Sequence, residues 1–245
     1  NITIDNLIFR EHTGDCILVS SDKLVREGVG NWPNAYHVSR NIKITNCVLD
    51  GARRNNISIT DCEGFVISNN YIINAGIDDG IANGTNPKVG IDLEPYREAN
   101  YAGNERVMNG VVSNNVFYNN ALSACVCHNS YNISITANMS HGDAIKYDYS
   151  NNVSVVGNTL HYLNRGENSR SESAISAIAP PSVDWYTGFN NVTVSGNTIL
   201  DFPVGIDARG TGINVTGNTV RGATTSSVSG YHLKNAKISG NLLYD

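Results

Sequence analysis

The sequence predicts an all-β solenoid, a stack of coils built from short strands with loops inserted at a few corners. Three observations carry this. Asparagine makes up 35 of the 245 residues, an excess that has to come from a position that recurs. Short runs rich in Ile and Val alternate apolar with polar residues, the period of a half-buried strand. A unit reading Asn-h-x-h-x-(Gly/Asn)-Asn-x-h, with h apolar, returns along the chain.

Taken in order, the second Asn of that unit anchors each copy. Leu7 and Cys47 hold its place in the first two copies, and Asn70, Asn115, Asn138, Asn158, Asn197, Asn218 and Asn241 follow at a base spacing of 20 to 23 residues. The three longer gaps, before Cys47, Asn115 and Asn197, hold insertions. The best-preserved copy runs Asn191-Val192-Thr193-Val194-Ser195-Gly196-Asn197-Thr198-Ile199. A period of this size, with scarcely any helix-forming stretch, is that of a solenoid in which each repeat is one coil. A recurring sharp turn explains the asparagines: Asn tolerates the left-handed conformation, and stacked Asn side chains can hydrogen-bond from coil to coil. Eight Asn-x-Ser/Thr sequons, at Asn1, Asn56, Asn83, Asn132, Asn138, Asn152, Asn191 and Asn214, fall mostly on this register. They read as by-products of the repeat, since glycans on coils roughly 4.8 Å apart would crowd one another.

Composition narrows the function. Only 16% of residues are charged and the net charge is −5 with no basic block, which argues against nucleic acid as a partner. No apolar run approaches the roughly 18 residues of a membrane-spanning helix. The five cysteines, Cys16, Cys47, Cys62, Cys125 and Cys127, read as small core residues; Cys125 and Cys127 sit on one strand and cannot bridge each other. The chain reads as one domain over 1–245. It opens inside a strand pattern at Asn1-Ile2-Thr3-Ile4 and stops in mid-pattern, so it is expected to be a piece of a longer chain whose ends are capped, with homo-oligomerisation.

A coil of three short parallel strands with an Asn-containing turn resembles the right-handed parallel β-helix family typified by pectate lyases, over essentially the whole chain. The run Asp50-Gly51-Ala52-Arg53-Arg54-Asn55-Asn56-Ile57-Ser58-Ile59, followed by Gly90-Ile91-Asp92-Leu93-Glu94-Pro95, is similar to a coil of bacterial and bacteriophage β-helix proteins that act on polysaccharides, tailspike depolymerases among them. The resemblance implies about nine to ten coils, a polysaccharide substrate, bacterial or phage origin, an extracellular or virion-associated setting, and trimers. The scaffold by itself does not specify chemistry.

In-register stacking turns equivalent positions into columns. The expected alignment sets Ile57-Ser58-Ile59-Thr60 beside Ile91-Asp92-Leu93-Glu94, Cys125-Val126-Cys127-His128, Ile145-Lys146-Tyr147-Asp148, Ile175-Ser176-Ala177-Ile178, Ile206-Asp207-Ala208-Arg209 and Tyr231-His232-Leu233-Lys234. Alternation sends the first and third members inward and the second and fourth outward. Asp92, Glu94, His128, Lys146 and Asp148 thereby share the outer face of three adjacent coils, a concentration of charge unusual for so weakly charged a chain.

On these residues the leading expectation is hydrolysis of glycosidic bonds in a bacterial surface or capsular polysaccharide. Glu94 is the expected general acid, its carboxyl raised by Asp92 and by burial, with Asp92 or Asp148 as base or nucleophile. The separation of the carboxylates selects retention or inversion. His128 and Lys146 set charge states or bind an acidic sugar. Insertions 74–89 and 96–109 flank the acidic strand, and further loops span 161–173 and 182–189. Tyr96, Arg97, Arg106, Arg165 and Trp185 from these loops, with Tyr147, are the expected substrate-binding residues, rings stacking on sugar faces and Arg bonding hydroxyls or carboxylates. A uronate lyase or C5-epimerase is the alternative. Glu94-Pro95-Tyr96 is similar to the Asp-Pro-His segment of mannuronan C5-epimerases, with Tyr96 where those have His, and His128 with Tyr147 or Tyr149 would supply base and acid. The third reading is a non-catalytic, glycan-binding structural β-helix whose ion pairs, Asp92 with Lys146 and Glu94 with His128, merely solvate the sheet. No cofactor or metal is expected: Asp78-Asp79 is a lone adjacent acidic pair, and no Gly-x-Ser-x-Gly element marks an esterase.

Overall fold

The computed structural model describes residues 1–21, 38–78, 83–95, 106–163, 172–177 and 190–244. They form a right-handed parallel β-helix in which each coil contributes one strand to each of three faces. One coil runs Tyr131–Thr136, Met139–His141 and Ile145–Asp148; the next runs Asn151–Val156, Thr159–His161 and Ser173–Ala177. The second face is a nine-stranded sheet from Ile8–Arg10 to Leu242–Tyr244. The first and third faces join in a seventeen-stranded sheet, because the long strand Val204–Thr211 turns the corner, pairing with Ser173–Ala177 on one face and touching Asn190 on the other.

Side-chain alternation fills the lumen. Ile44, Ile67, Ile135 and Val155 point in from the first face, Leu49, Ile72, Phe117, Leu160 and Ile199 from the second, and Ile57, Ile91, Cys125, Ile145, Ile175 and Ile206 from the third; all are fully buried. Each adds about 1.5–3 kcal/mol relative to an exposed side chain. Volume is conserved locally: Gly110 lies beside Phe65, whose Cζ would sit 1.9 Å from a Cβ at that position, so a large ring on one coil requires no side chain on the next. The five cysteines are free thiols, four of them in this core.

Asparagine divides into two jobs that the sequence reading had merged. The left-handed residue is the one before each anchor: Asn46, Asn69, Asn114, Ala137, Gly157, Gly196, Gly217 and Gly240 all have φ between 54° and 66°. The anchor itself is buried and makes the ladder. Asn138 Oδ1 accepts from the backbone N–H and the Nδ2 of Asn115, at 3.0 Å each, while its own Nδ2 donates to Val112 O and to Asn158 Oδ1, both at 3.0 Å. The same four bonds recur at Asn115, Asn158, Asn197 and Asn218. Every donor and acceptor of each amide is used, which is what burial of an Asn demands. A second ladder, Asn109–Asn132–Asn152–Asn191, is exposed and built from left-handed asparagines themselves.

The last described strand of the third face, Ser226–Lys234, corrects the expected alignment. Ile206, Asp207, Ala208 and Arg209 pair with Val228, Ser229, Gly230 and Tyr231, not with residues 231–234. A bulge follows Arg209, and His232 takes φ 51°. An extra residue inverts the alternation, so Tyr231, expected inward beside Ile206, instead pairs with the outward Arg209.

The ladder predicts a contrast. Asn138→Ala strips four bonds and leaves buried partners unpaired, so it should lower unfolding free energy by roughly 3 kcal/mol or more. Asn152→Gly, at an exposed left-handed position, should cost less than about 1 kcal/mol. Urea denaturation of the two variants beside wild type checks the difference, and equal losses would refute the ladder's role.

Candidate functional site

Strand pairing establishes the columns on the third face. Ser58 pairs with Asp92, Asp92 with Val126, Val126 with Lys146, Lys146 with Ser176 and Ser176 with Asp207. Alongside runs a second column in which His128 pairs with Asp148. Glu94 continues that column by one rung: Cys127 pairs with Leu93, and the Glu94 amide extends the strand by donating to Ile59 O at 3.0 Å. Each rung is about 4.8 Å.

Asp92 is 3% exposed. Its Oδ2 accepts from Asn55 Nδ2 at 3.0 Å and lies 4.0 Å from Arg54 Nη2. Arg54 in turn holds Asp15 at 2.9 Å, and Asn55 Oδ1 accepts from the Val89 amide at 3.1 Å, tying this network to the start of the Asp92 strand. Burial, with the charge of Glu94 next, pushes the Asp92 carboxyl up to about 7; Arg54 opposes them, and Asp15 and the Asn55 bond make smaller adjustments. Asp15, Arg54 and Asn55 are the site residues that sequence reasoning missed as such. Arg54 and Asn55 lie in the run that carried the resemblance, while Asp15 precedes it by a coil and bears no local signal.

One coil further, His128 Nδ1 lies 2.9 Å from Asp148 Oδ2. Desolvation lowers the imidazole, but the bond to Asp148 and the charges of Asp148, Glu94 and Asp92 prevail and raise it. Burial raises Asp148, with His128 pulling against it. Asp148 Oδ1 is buried and makes no hydrogen bond of good geometry. Tyr149 meets the His128 ring edge-to-face at 5.4 Å between centroids. Two coils beyond Asp92–Glu94, Lys146 is half-buried, and desolvation lowers its ammonium. Further along the face, Asp207 grips Arg209 through Nε and Nη2, and the guanidinium stacks on Tyr231 at 5.2 Å.

The expected catalytic set of Asp92, Glu94, His128 and Asp148 therefore comes together with Lys146. Tyr147 does not join it. Its side chain points inward and is fully buried, because position three of the strand faces the lumen, so it is not a substrate-binding residue. Nor do Asp92 and Lys146 pair, since Val126 separates them and Asp92 faces Arg54 and Asn55. Arg106 is exposed at the corner between the third and first faces, its amide donating to Asp61 Oδ1 at 3.2 Å. Asp78 is held by Lys88 at 3.2 Å. Tyr96, Arg97, Arg165 and Trp185, with Asp79, lie outside the described residues. Among the described residues no group of three or more His, Cys, Asp or Glu is placed to hold a metal ion, and no helix is long and apolar enough to cross a membrane.

No protein-family model matches this chain. It is 32% identical over 242 residues to the uncharacterized protein YclG of Bacillus subtilis, covering 98% of this chain and 38% of that one. It is 30% identical over 230 residues to the SPbeta prophage-derived uncharacterized protein YorA of the same organism, covering 94% and 36%. The chain thus spans little more than a third of the length of these relatives. Among solved structures it is similar to tailspike gp49 of Acinetobacter baumannii bacteriophage Fri1, a capsular polysaccharide depolymerase, with TM-score 0.42, 14% identity and coverage of 91% and 37%. It is likewise similar to PfbA, a surface adhesin of Streptococcus pneumoniae, with TM-score 0.47, 13% identity and coverage of 96% and 71%.

The buried Asp92 has a thermodynamic signature. An unfolded carboxyl ionises near pH 3.9, the folded one near 7. Above the first value the unfolded chain releases its proton earlier, so the Asp92 contribution makes stability fall as pH rises toward 7 and then level off. Asp92→Asn keeps an acceptor for Asn55 and removes this loss. It should stabilise the protein by roughly 2–4 kcal/mol more at pH 8 than at pH 4. Denaturant titrations at both pH values read this directly, and an equal change at both would show that Asp92 does not titrate this way.

Proposed function

We propose that the outer third face is the active site of a polysaccharide-cleaving enzyme, and that the reaction is hydrolysis of a glycosidic bond. The observation that carries this reading is Asp92: a carboxyl buried until it holds its proton near neutral pH, beside a second carboxyl and a carboxylate–imidazole pair. Asp92 and Glu94, two residues apart on one extended strand, have backbones about 6.6 Å apart, and Glu94 and Asp148 lie about 9.6 Å apart along their column. Carboxylates at such separations can flank one glycosidic bond and admit a water.

Burial moves the acid role expected of Glu94 to Asp92. In this scheme Asp92 gives its proton to the leaving oxygen, and Glu94 activates the water on the other side of the bond. His128, raised by its bond to Asp148 and by three carboxylates, offsets their mutual repulsion and opposes the rise that burial imposes on Asp148. The same shift weakens His128 as a base for β-elimination. Tyr149 against the His128 ring supports elimination as the second reading, with the phenol delivering a proton. An extracellular or virion-associated setting belongs to the proposal and accords with the prophage origin of one relative. A homo-oligomer, trimeric by the tailspike resemblance, belongs to it as well.

Capsular and O-antigen polysaccharides incubated with the protein test the reaction. Hydrolysis yields new reducing ends without the ultraviolet absorbance of an unsaturated uronate, elimination yields both, and a binding protein yields neither. Asp92→Asn and Glu94→Gln should each slow cleavage by at least about 100-fold. Full activity in both variants would remove the site from consideration.

A further inference from the structure

Among the described residues Lys146 has no ion-pair partner. Its strand, Ile145–Asp148, lies between Ser123–His128 and Ser173–Ala177, and its rung neighbours are Val126 and Ser176. Asp92 and Asp207, the carboxylates of its own column, stand two rungs away on either side, about 9.6 Å along the sheet. Both have other partners: Asp92 has Asn55 and Arg54, and Asp207 has Arg209. Asp148, in the adjoining column, is bonded to His128. Among the described residues Lys146 makes neither an ion pair nor a hydrogen bond, although it is half-buried beside the site.

A half-buried ammonium without a partner is costly unless an anion arrives to meet it. Arg209 cannot serve in its place, because Asp207 already occupies the fork of its guanidinium. A Lys ammonium is a compact point charge suited to a single anionic group.

We propose that Lys146 receives the carboxylate of an acidic sugar, so that the third face takes a carboxylated glycan rather than a neutral one. This rests on the reading of that face as a glycan site. The anion would lie on the rung of Asp148 and one rung from His128, positioning the neighbouring glycosidic bond along the columns of carboxylates.

The test is affinity electrophoresis of the whole chain in gels containing alginate, polygalacturonate or hyaluronan, each beside its carboxyl-reduced form. The expected result is retardation by at least one acidic polymer and none by its reduced form. Lys146→Met should cut that retardation by tenfold or more in apparent affinity, and Lys146→Arg should recover part of it. Lys43→Met, on the exposed first face, should behave as wild type. Equal retardation by acidic and reduced polymers, or undiminished binding by a folded Lys146→Met protein, overturns the proposal and leaves the glycan site standing. Binding to no polymer of either kind overturns both.

Discussion

From Asn115 to Asn218, successive coils of this protein are held in register by buried asparagines whose four hydrogen bonds are all made within the stack. Apolar packing alone would let stacked strands slide by two residues and keep the same face inward. The ladder forbids that, because Asn138 can satisfy its amide only when Asn115 and Asn158 stand directly above and below. The columns on the outer faces follow from this constraint. Asp92, Lys146 and Asp207 share one column, and His128 and Asp148 another, only while the corner remains locked.

The third face uses that rigidity to hold charges that would otherwise repel or seek water. Asp92 is sunk into a network of Asn55, Arg54 and Asp15, drawn from two preceding strand entries. His128 sits among three carboxylates, and among the described residues Lys146 makes no ion pair. Such an arrangement lowers stability at neutral pH, and the apolar lumen offsets the cost. Uneven pairing of this kind, with a carboxyl raised by burial, a bonded imidazole–carboxylate pair and a cation that makes no ion pair among the described residues, is the arrangement on which the proposed function rests.

The coil positions were legible in the sequence because the anchor is defined locally. Its neighbours must turn left-handed, so Asn or Gly precedes it nearly every time, and the flanking alternation is strict. The outward placement of Asp92, His128, Lys146 and Asp148 followed from the same alternation. Tyr147 shows how rigidly it holds: its chemistry suggested a site residue, but its parity placed it in the lumen. Where parity broke, at the bulge after Arg209, reading by alternation failed, since an inserted residue leaves no signature in composition.

The sequence by itself determined the solenoid, its coil positions and the membership of the outer columns, because these depend on periods of two residues and of about twenty that are written along the chain. Only the tertiary structure decided that Asp92 rather than Glu94 is the buried carboxyl and that Lys146 makes no ion pair among the described residues. It also brought Asp15, Arg54 and Asn55 to Asp92 in the candidate site. Burial and pairing are properties of neighbours in space. Asp15 stands 77 positions from Asp92 in the sequence, and only the winding of the coils brings the two into one network.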